Sequence, residues 1–208
     1  MPAAPVVPED LRTRLARVRG IVLDVDGVLT DGSLTYDEDG RELKTFDVKD
    51  GFGLVRVREL GYRIGIVSSR TSKVVAHRCK ELKIPEECVL QGERDKVAAF
   101  DKLLKRWELD PREVVAVGDD IQDLGMLRRA GIAACPYDAV PLVRDASALQ
   151  LTKPGGAGAV RELCDLVLEI RRDARADRPQ AVPTGHESAP ESEGGVIPFP
   201  RREPQEPT

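Results

Sequence analysis

The sequence predicts an α/β protein built on a doubly wound, mostly parallel (Rossmann-like) sheet with a β-hairpin protrusion. Two observations predict it. From about residue 20 to 170, short apolar runs alternate with longer segments of helical period. The runs are apolar at nearly every position rather than at every second one, as strands covered on both faces must be. A third observation bears on function: the runs end in carboxylates and hydroxyls, and in an open parallel sheet those ends share the edge where ligands bind.

In chain order, residues 9–18 read as a short helix and 20–25 as the first strand. The apolar runs 63–67, 113–117 and 131–134 read as further buried parallel strands. Segments 71–82, 93–107, 121–130 and 159–171 carry leucine, valine and alanine at helical spacing. Between Thr71 and Asp95 there is room for one helix and one short strand. Asp110-Pro111 and Gly131 mark boundaries of the kind found at turns and helix ends. One segment breaks the alternation: Ser33 to Tyr36 and Glu42 to Val48 flank Asp37-Glu38-Asp39-Gly40, and Asp-Gly between β-type segments signals a hairpin. It leaves the sheet just after Asp24 and Asp26, so it should stand over or beside whatever those residues do.

The 208 residues, 41% of them hydrophobic, suit one domain plus tails. The expected division is an N-terminal extension at 1–17, a domain at 18–171 and a disordered tail at 172–208. From Arg171 onward the chain holds seven of the fifteen prolines and few large apolar residues, too few to offset the entropy of ordering. A formal charge of -4 argues against nucleic acid as a partner. No apolar run nears the roughly 20 residues that span a bilayer, and the first residues lack the pattern of a secretory signal, so the protein is expected to be cytoplasmic with no membrane partner. Cys79, Cys88, Cys135 and Cys164 are scattered and read as reduced packing residues. His77, mid-helix with no metal-type partner nearby, reads as a surface or packing residue.

The most informative stretch is Ile21-Val22-Leu23-Asp24-Val25-Asp26-Gly27-Val28-Leu29-Thr30. An apolar strand there delivers two carboxylates into a glycine turn, where desolvation is unfavourable unless a cation or hydrogen bonds offset it. Val67-Ser68-Ser69-Arg70, then Lys96, then Val117-Gly118-Asp119-Asp120-Ile121-Gln122-Asp123 follow at or near the ends of later runs. Each has a bland reading: Asp24 with Asp26 as a strand-end turn, Ser68 as a helix N-cap, Lys96 as a solvated helix residue. Their order and spacing together point instead to a metal or catalytic site.

This set resembles the haloacid dehalogenase superfamily of phosphotransferases, whose D-x-D-G-V-[LF]-[TS] signature stands at residues 24 to 30. The resemblance implies that Asp24 is the nucleophile that forms an aspartyl-phosphate. Asp26 is then the acid that protonates the leaving oxygen and the base that activates water. It further implies a Mg²⁺ held by Asp24, the Asp26 main-chain carbonyl and Asp119. Ser68 would bond a phosphoryl oxygen, Lys96 would neutralise charge, and Asp120 and Asp123 would orient Lys96 and the metal's waters. Charge logic makes these roles sensible, because an anionic nucleophile must approach an anionic phosphorus.

Many members of that superfamily carry a cap domain inserted after the first motif or between the second and third. Gly27 to Tyr62 and Thr71 to Asp95 are too short for one. Selectivity must then come from elsewhere, most simply from a neighbouring subunit packed on the hairpin. Leu43 to Gly53, Arg70 with Arg78, Gln91-Gly92, and Pro154 to Glu162 are similar to the 3-deoxy-D-manno-octulosonate 8-phosphate phosphatases. That resemblance covers about 18–171 and implies a capless, Mg-dependent homotetramer in lipopolysaccharide sugar biosynthesis. Asp26, Asp47, Val48, Lys49, Asp50, Gly51, Arg70, Arg78 and Lys96 would line the pocket for a phosphorylated sugar acid. A glycine-rich arm before Arg161 would reach a neighbour's site. Paired arginines suit a substrate that bears a carboxylate as well as a phosphate. The sequence departs from the family's usual residues at Ser69, Thr71 and Val55. Two other readings remain at this point: a phosphatase for a nine-carbon sugar acid 9-phosphate, and a phosphoacceptor signalling domain. The latter phosphorylates an aspartate on a middle strand rather than the first.

Overall fold

In a computed structural model, which describes residues 7–176, the apolar runs become strands of one parallel sheet. After helix α1 (Glu9–Leu15) come β1 (Gly20–Leu23), the hairpin strands β2 (Thr35–Tyr36) and β3 (Glu42–Leu43), and α2 (Val48–Glu59). Then follow β4 (Arg63–Ser68), α3 (Lys73–Glu81), β5 (Val89–Gln91), α4 (Lys96–Trp107) and β6 (Val114–Val117). The chain continues through α5 (Leu124–Arg129), β7 (Ile132–Cys135), α6 (Pro141–Ala146), β8 (Leu149–Gln150) and α7 (Ala159–Ala176). The sheet order is β5-β4-β1-β6-β7-β8, and the chain winds outward from β1 first to one edge and then to the other. β1, β6 and β7 are buried along their whole length, which accounts for their unbroken apolar character.

The register brings the functional ends level. Leu23 pairs with both Ile66 and Val117, so the residues just beyond them emerge side by side where the winding direction reverses. Asp24 extends the pairing by one step, its N–H donating to Val117 O at 3.0 Å.

The boundaries differ from the sequence reading where caps and turns intervene. The helix expected over 71–82 starts at Lys73 because Ser72 caps it, and the one expected over 93–107 starts at Lys96 because the Asp95 carboxylate accepts from Val97 N and Ala98 N at 3.1 and 3.0 Å. Residues 121–130 divide into a 3₁₀ turn, Ile121–Asp123, and α5. The hairpin strands are only two residues long, and Val48 belongs to α2 rather than to the second arm, since the Asp47 side chain caps that helix at Lys49 N. Helix α6 and strand β8 lay outside the sequence reading.

Residues 1–17, expected as an extension, contribute α1, whose Leu11 and Leu15 are buried in the core. Arg12 also meets Asp173 of α7 at 3.1 Å. The tail expected from 172 begins inside α7, and its remainder lies outside the described residues. The four cysteines are free and buried. His77 is exposed, 3.5 Å from Glu81 one helical turn on.

Candidate active site

Helix α4 places its lysine through its packing. Ala99, Phe100, Leu103, Leu104 and Trp107 form its buried stripe, and Lys96 stands on the same stripe at the first turn. Burying that stripe against the sheet therefore aims the lysine at the strand ends. Lys96 is only 3% exposed, and its Nζ lies 2.9 Å from Asp24 Oδ1 and 2.5 Å from Asp123 Oδ1.

Asp123 is fully buried, and its second oxygen accepts from Asp119 N at 3.1 Å and Asp120 N at 3.3 Å. It thus fixes both Lys96 and the turn that carries Asp119. Of the two aspartates expected to orient Lys96 and the metal's waters, it is Asp123 and not Asp120 that meets Lys96. The Asp120 carboxylate caps the 3₁₀ turn at Ile121 N, 2.6 Å away, because the chain turns sharply there and leaves that N–H without a helical partner.

Carboxylate oxygens of Asp24, Asp119 and Asp123 lie within 4.8 Å of one another. Desolvation, together with the charge of Asp123, raises the Asp24 carboxyl to about 6 against the pull of Lys96. Desolvation and the charges of Asp24, Asp123 and Asp120 raise Asp119 to about 7. Burial alone would lower Lys96, but the two carboxylates beside it hold it above its ordinary value.

Three carboxylates against one ammonium leave a buried excess of two negative charges. Asp24 Oδ2 and Asp119 Oδ1 are buried with no hydrogen-bond partner. Two orphaned hard oxygens in a cluster of that charge fit a small divalent cation such as Mg²⁺. Gly27 keeps the space open: its φ is +84°, and a Cβ there would sit 2.1 Å from Asp119 Oδ2.

Ser68 ends β4 and is buried; its Oγ accepts from Arg70 N at 3.2 Å, which leaves the hydroxyl proton free to donate. Asp26 is half-buried under the hairpin. Its Oδ1 accepts from Lys44, and Arg70 Nε stands 3.8 Å from its Oδ2. Lys44 lies in the segment that carries the family resemblance, but its sequence context assigns it no role of its own. The signal that could have found it is the alternation Glu42, Lys44, Phe46, which turns inward while Leu43 and Thr45 face solvent.

Of the expected pocket residues, Asp47, Gly51 and Arg78 share a small cleft with Leu29 and Phe46. The Arg78 guanidinium lies 5.8 Å over the Phe46 ring, in space that Gly51 leaves free, since a Cβ there would meet Arg78 at 2.3 Å. Val48 and Lys49 are exposed on the first turn of α2. Asp50 also borders the cleft, but its carboxylate is committed elsewhere. It is 1% exposed and accepts from Gly158 N at 3.2 Å and Arg161 N at 2.7 Å, so it caps α7 and is not free to bind a substrate. Desolvation holds its carboxyl above the ordinary range despite those bonds.

The glycine-rich segment is seated within its own chain. Gly156 N donates to Val28 O at 3.0 Å, Gly155 N donates to Asp138 Oδ1 at 2.9 Å, and a Cβ at Gly155 would fall 1.8 Å from Gly27 O. These residues are the floor under the Asp24–Thr30 loop of their own chain.

Known proteins share the fold. Residues 53–131 match the haloacid dehalogenase-like hydrolase model. The 3-deoxy-D-manno-octulosonate 8-phosphate phosphatase of Escherichia coli is 36% identical over 162 residues, 78% of this chain and 85% of that protein. Among solved structures, the 3-deoxy-D-manno-octulosonate 8-phosphate phosphatase from Yersinia pestis superposes with a TM-score of 0.78 at 33% identity, over 81% of this chain and 90% of the other. The Moraxella catarrhalis phosphatase, solved with magnesium, phosphate and the sugar acid KDO, superposes with a TM-score of 0.76 at 34% identity, over 80% and 95%.

Proposed function

Since the chain belongs to the 3-deoxy-D-manno-octulosonate 8-phosphate phosphatase family of haloacid dehalogenase-like hydrolases, we propose that it hydrolyses that sugar phosphate to the free acid and phosphate. The observation that carries the reading is the pair of orphaned oxygens on Asp24 and Asp119, beside Lys96, at the point where the sheet reverses. That arrangement supports Mg²⁺ as the cofactor, held by the two carboxylates and the Asp26 main-chain carbonyl. Once bound, the ion supplies positive charge against which two anions can meet.

The chain's own residues supply the rest. The Asp24 carboxylate attacks phosphorus as the bond to the sugar oxygen breaks, giving an aspartyl-phosphate. Lys96 offsets the negative charge that gathers there, and Asp123 keeps it in place. The Ser68 hydroxyl donates to a phosphoryl oxygen. Asp26 gives a proton to the departing sugar oxygen, then takes one from the water that releases phosphate and restores Asp24.

The sugar end meets the hairpin side of the site. Arg70 and Arg78 are the cations for the substrate carboxylate, with Asp47, Val48, Lys49 and Gly51 beside them and the Asp50 side chain left out. An oligomer, a homotetramer by family resemblance, accounts for the hairpin's outer face. Leu34, Tyr36 and Leu43 there, and Val48 and Phe52 on α2, are all more than half exposed. Lipopolysaccharide sugar biosynthesis in the cytoplasm completes the reading.

Phosphate release with Mg²⁺ tests it, comparing 3-deoxy-D-manno-octulosonate 8-phosphate, nine-carbon sugar acid 9-phosphates and hexose phosphates, with Asp24→Asn as the blank. Preference for the eight-carbon acid supports the assignment, and preference for a nine-carbon acid moves the enzyme to that substrate class. Light scattering that found an active monomer would remove the oligomer.

A further inference from the structure

The hairpin is built inside out. Its apolar residues Leu34, Tyr36 and Leu43 face solvent, while the Lys44 side chain is 1% exposed and Glu42 is turned inward beside it. Placing an ammonium under a two-strand hairpin has a desolvation penalty that an apolar side chain would avoid. The partners of Lys44 account for it. Its Nζ donates to Asp26 Oδ1 and lies 3.4 Å from Glu42 Oε1. The same Glu42 oxygen receives Arg70 at 2.7 Å, and its other oxygen receives the Ser72 hydroxyl at the cap of α3. Ser72 N in turn donates to Gln91 Oε1 at 2.8 Å. Although desolvation opposes it, the bonds from Ser72, Arg70 and Lys44 keep the Glu42 carboxyl below its ordinary range. Glu42 therefore ties Lys44 to Arg70 and Ser72 in the turn between β4 and α3, and through Ser72 to Gln91 of β5.

We propose that Lys44 is a positioning residue for Asp26, held by Glu42, and that it selects Asp26 Oδ2 as the oxygen that exchanges the proton. An ammonium only donates, so the oxygen it bonds cannot also carry a proton toward it. Oδ2 has no such bond; Arg70 Nε stands 3.8 Å from it, beyond hydrogen-bond distance. In the first step the proton on Oδ2 passes to the sugar oxygen, which keeps the electron pair of the broken P–O bond, and Asp26 is left as a carboxylate. In the second step Oδ2 takes a proton from water as the water oxygen bonds to phosphorus and the bond to Asp24 breaks. This rests on the acid/base role given to Asp26 above.

Leaving-group dependence separates positioning from a purely structural latch. A sugar alkoxide needs a proton to leave; p-nitrophenolate does not. With the full Mg²⁺-loaded chain, Lys44→Met should lower the single-turnover rate of leaving-group release, which excludes the hydrolytic step common to all esters, by about 10–100-fold on the sugar-acid phosphate, and by at least about tenfold more than on p-nitrophenyl phosphate. Lys44→Arg should recover most of the loss, and Glu42→Gln should act in the same direction less strongly. Equal losses on both esters would make the hairpin a latch and overturn the proposal. Asp26→Asn in the same assay isolates the underlying reading. If it shows the selective loss and Lys44→Met does not, only the positioning fails; if it slows both esters equally, the acid/base assignment itself fails. Should Lys44→Met not fold, Glu42→Gln makes the same comparison, because it keeps the shape and removes the charge.

Discussion

Asp50 Oδ1, in the first turn of α2, accepts the backbone N–H of Arg161 at the start of α7, 111 residues further on, at 2.7 Å. A residue whose sequence neighbours suggest a substrate pocket thus serves as a helix cap between distant segments. Asp50→Ala leaves the N–H groups of Gly158 and Arg161, before and within the first turn of α7, without that acceptor and should lower stability by about 1–3 kcal/mol in urea denaturation. A rise in KM with unchanged stability would return Asp50 to the pocket.

Asp24→Asn should reduce turnover by about 10³-fold or more while the protein remains folded, since an amide cannot form the acyl phosphate. Single-turnover phosphate release together with circular dichroism checks both halves. A folded variant that keeps several per cent of activity would assign the nucleophile elsewhere.

Lys96→Met removes the cation between Asp24 and Asp123. Leaving two buried carboxylates uncompensated should destabilise the metal-free protein by about 3–5 kcal/mol at neutral pH. Acidification toward pH 5 should restore part of the loss as the carboxylates take up protons, and denaturation at the two pH values would show it.

The pH dependence of the metal-free protein follows from the raised carboxyls of Asp24, about 6, and Asp119, about 7. Between the ordinary value of 3.8 and these values the folded state holds protons that the unfolded chain has released. The destabilisation is therefore absent below the unfolded value and grows as pH rises to about 7. Melting temperature in a chelator should fall from pH 5 to 8, and Mg²⁺ should remove most of the fall. Identical curves with and without the ion would argue that the cluster does not bind it.

Gly155→Ala would drive a methyl group into the carbonyl of Gly27, 1.8 Å from the ideal Cβ position. The expected result is a loss of about 1–3 kcal/mol together with impaired catalysis, because the displaced carbonyl belongs to the catalytic loop. Unchanged kinetics would show that the loop tolerates a different floor.

What was legible in the sequence follows the range of the forces involved. Asp24, Ser68 and Asp119 were readable because strand burial and parallel register are encoded in apolar runs, and runs that end level bring their next residues together; Lys96, on the first turn of α4, stood out through the family resemblance. The orientation of Asp120 was not, since one turn of 3₁₀ geometry decides whether a carboxylate points to Lys96 or to its neighbour's N–H. Asp50 and Gly155 depend on partners more than a hundred residues away, which no local pattern announces. Lys44 was hidden for a different reason: a lysine on a two-residue strand reads as solvated unless the inverted alternation around it is noticed.

The floor under the Asp24–Thr30 loop also sets an order of events during synthesis. The nucleophile is translated early, but the glycines that shape its surroundings, and the helix start that Asp50 caps, emerge only after more than a hundred further residues. At ordinary elongation rates that is a delay on the order of 10 s. A nascent chain, or one terminated before Gly155, carries the reactive aspartate without an assembled site around it, so catalytic competence arrives only with the end of the domain.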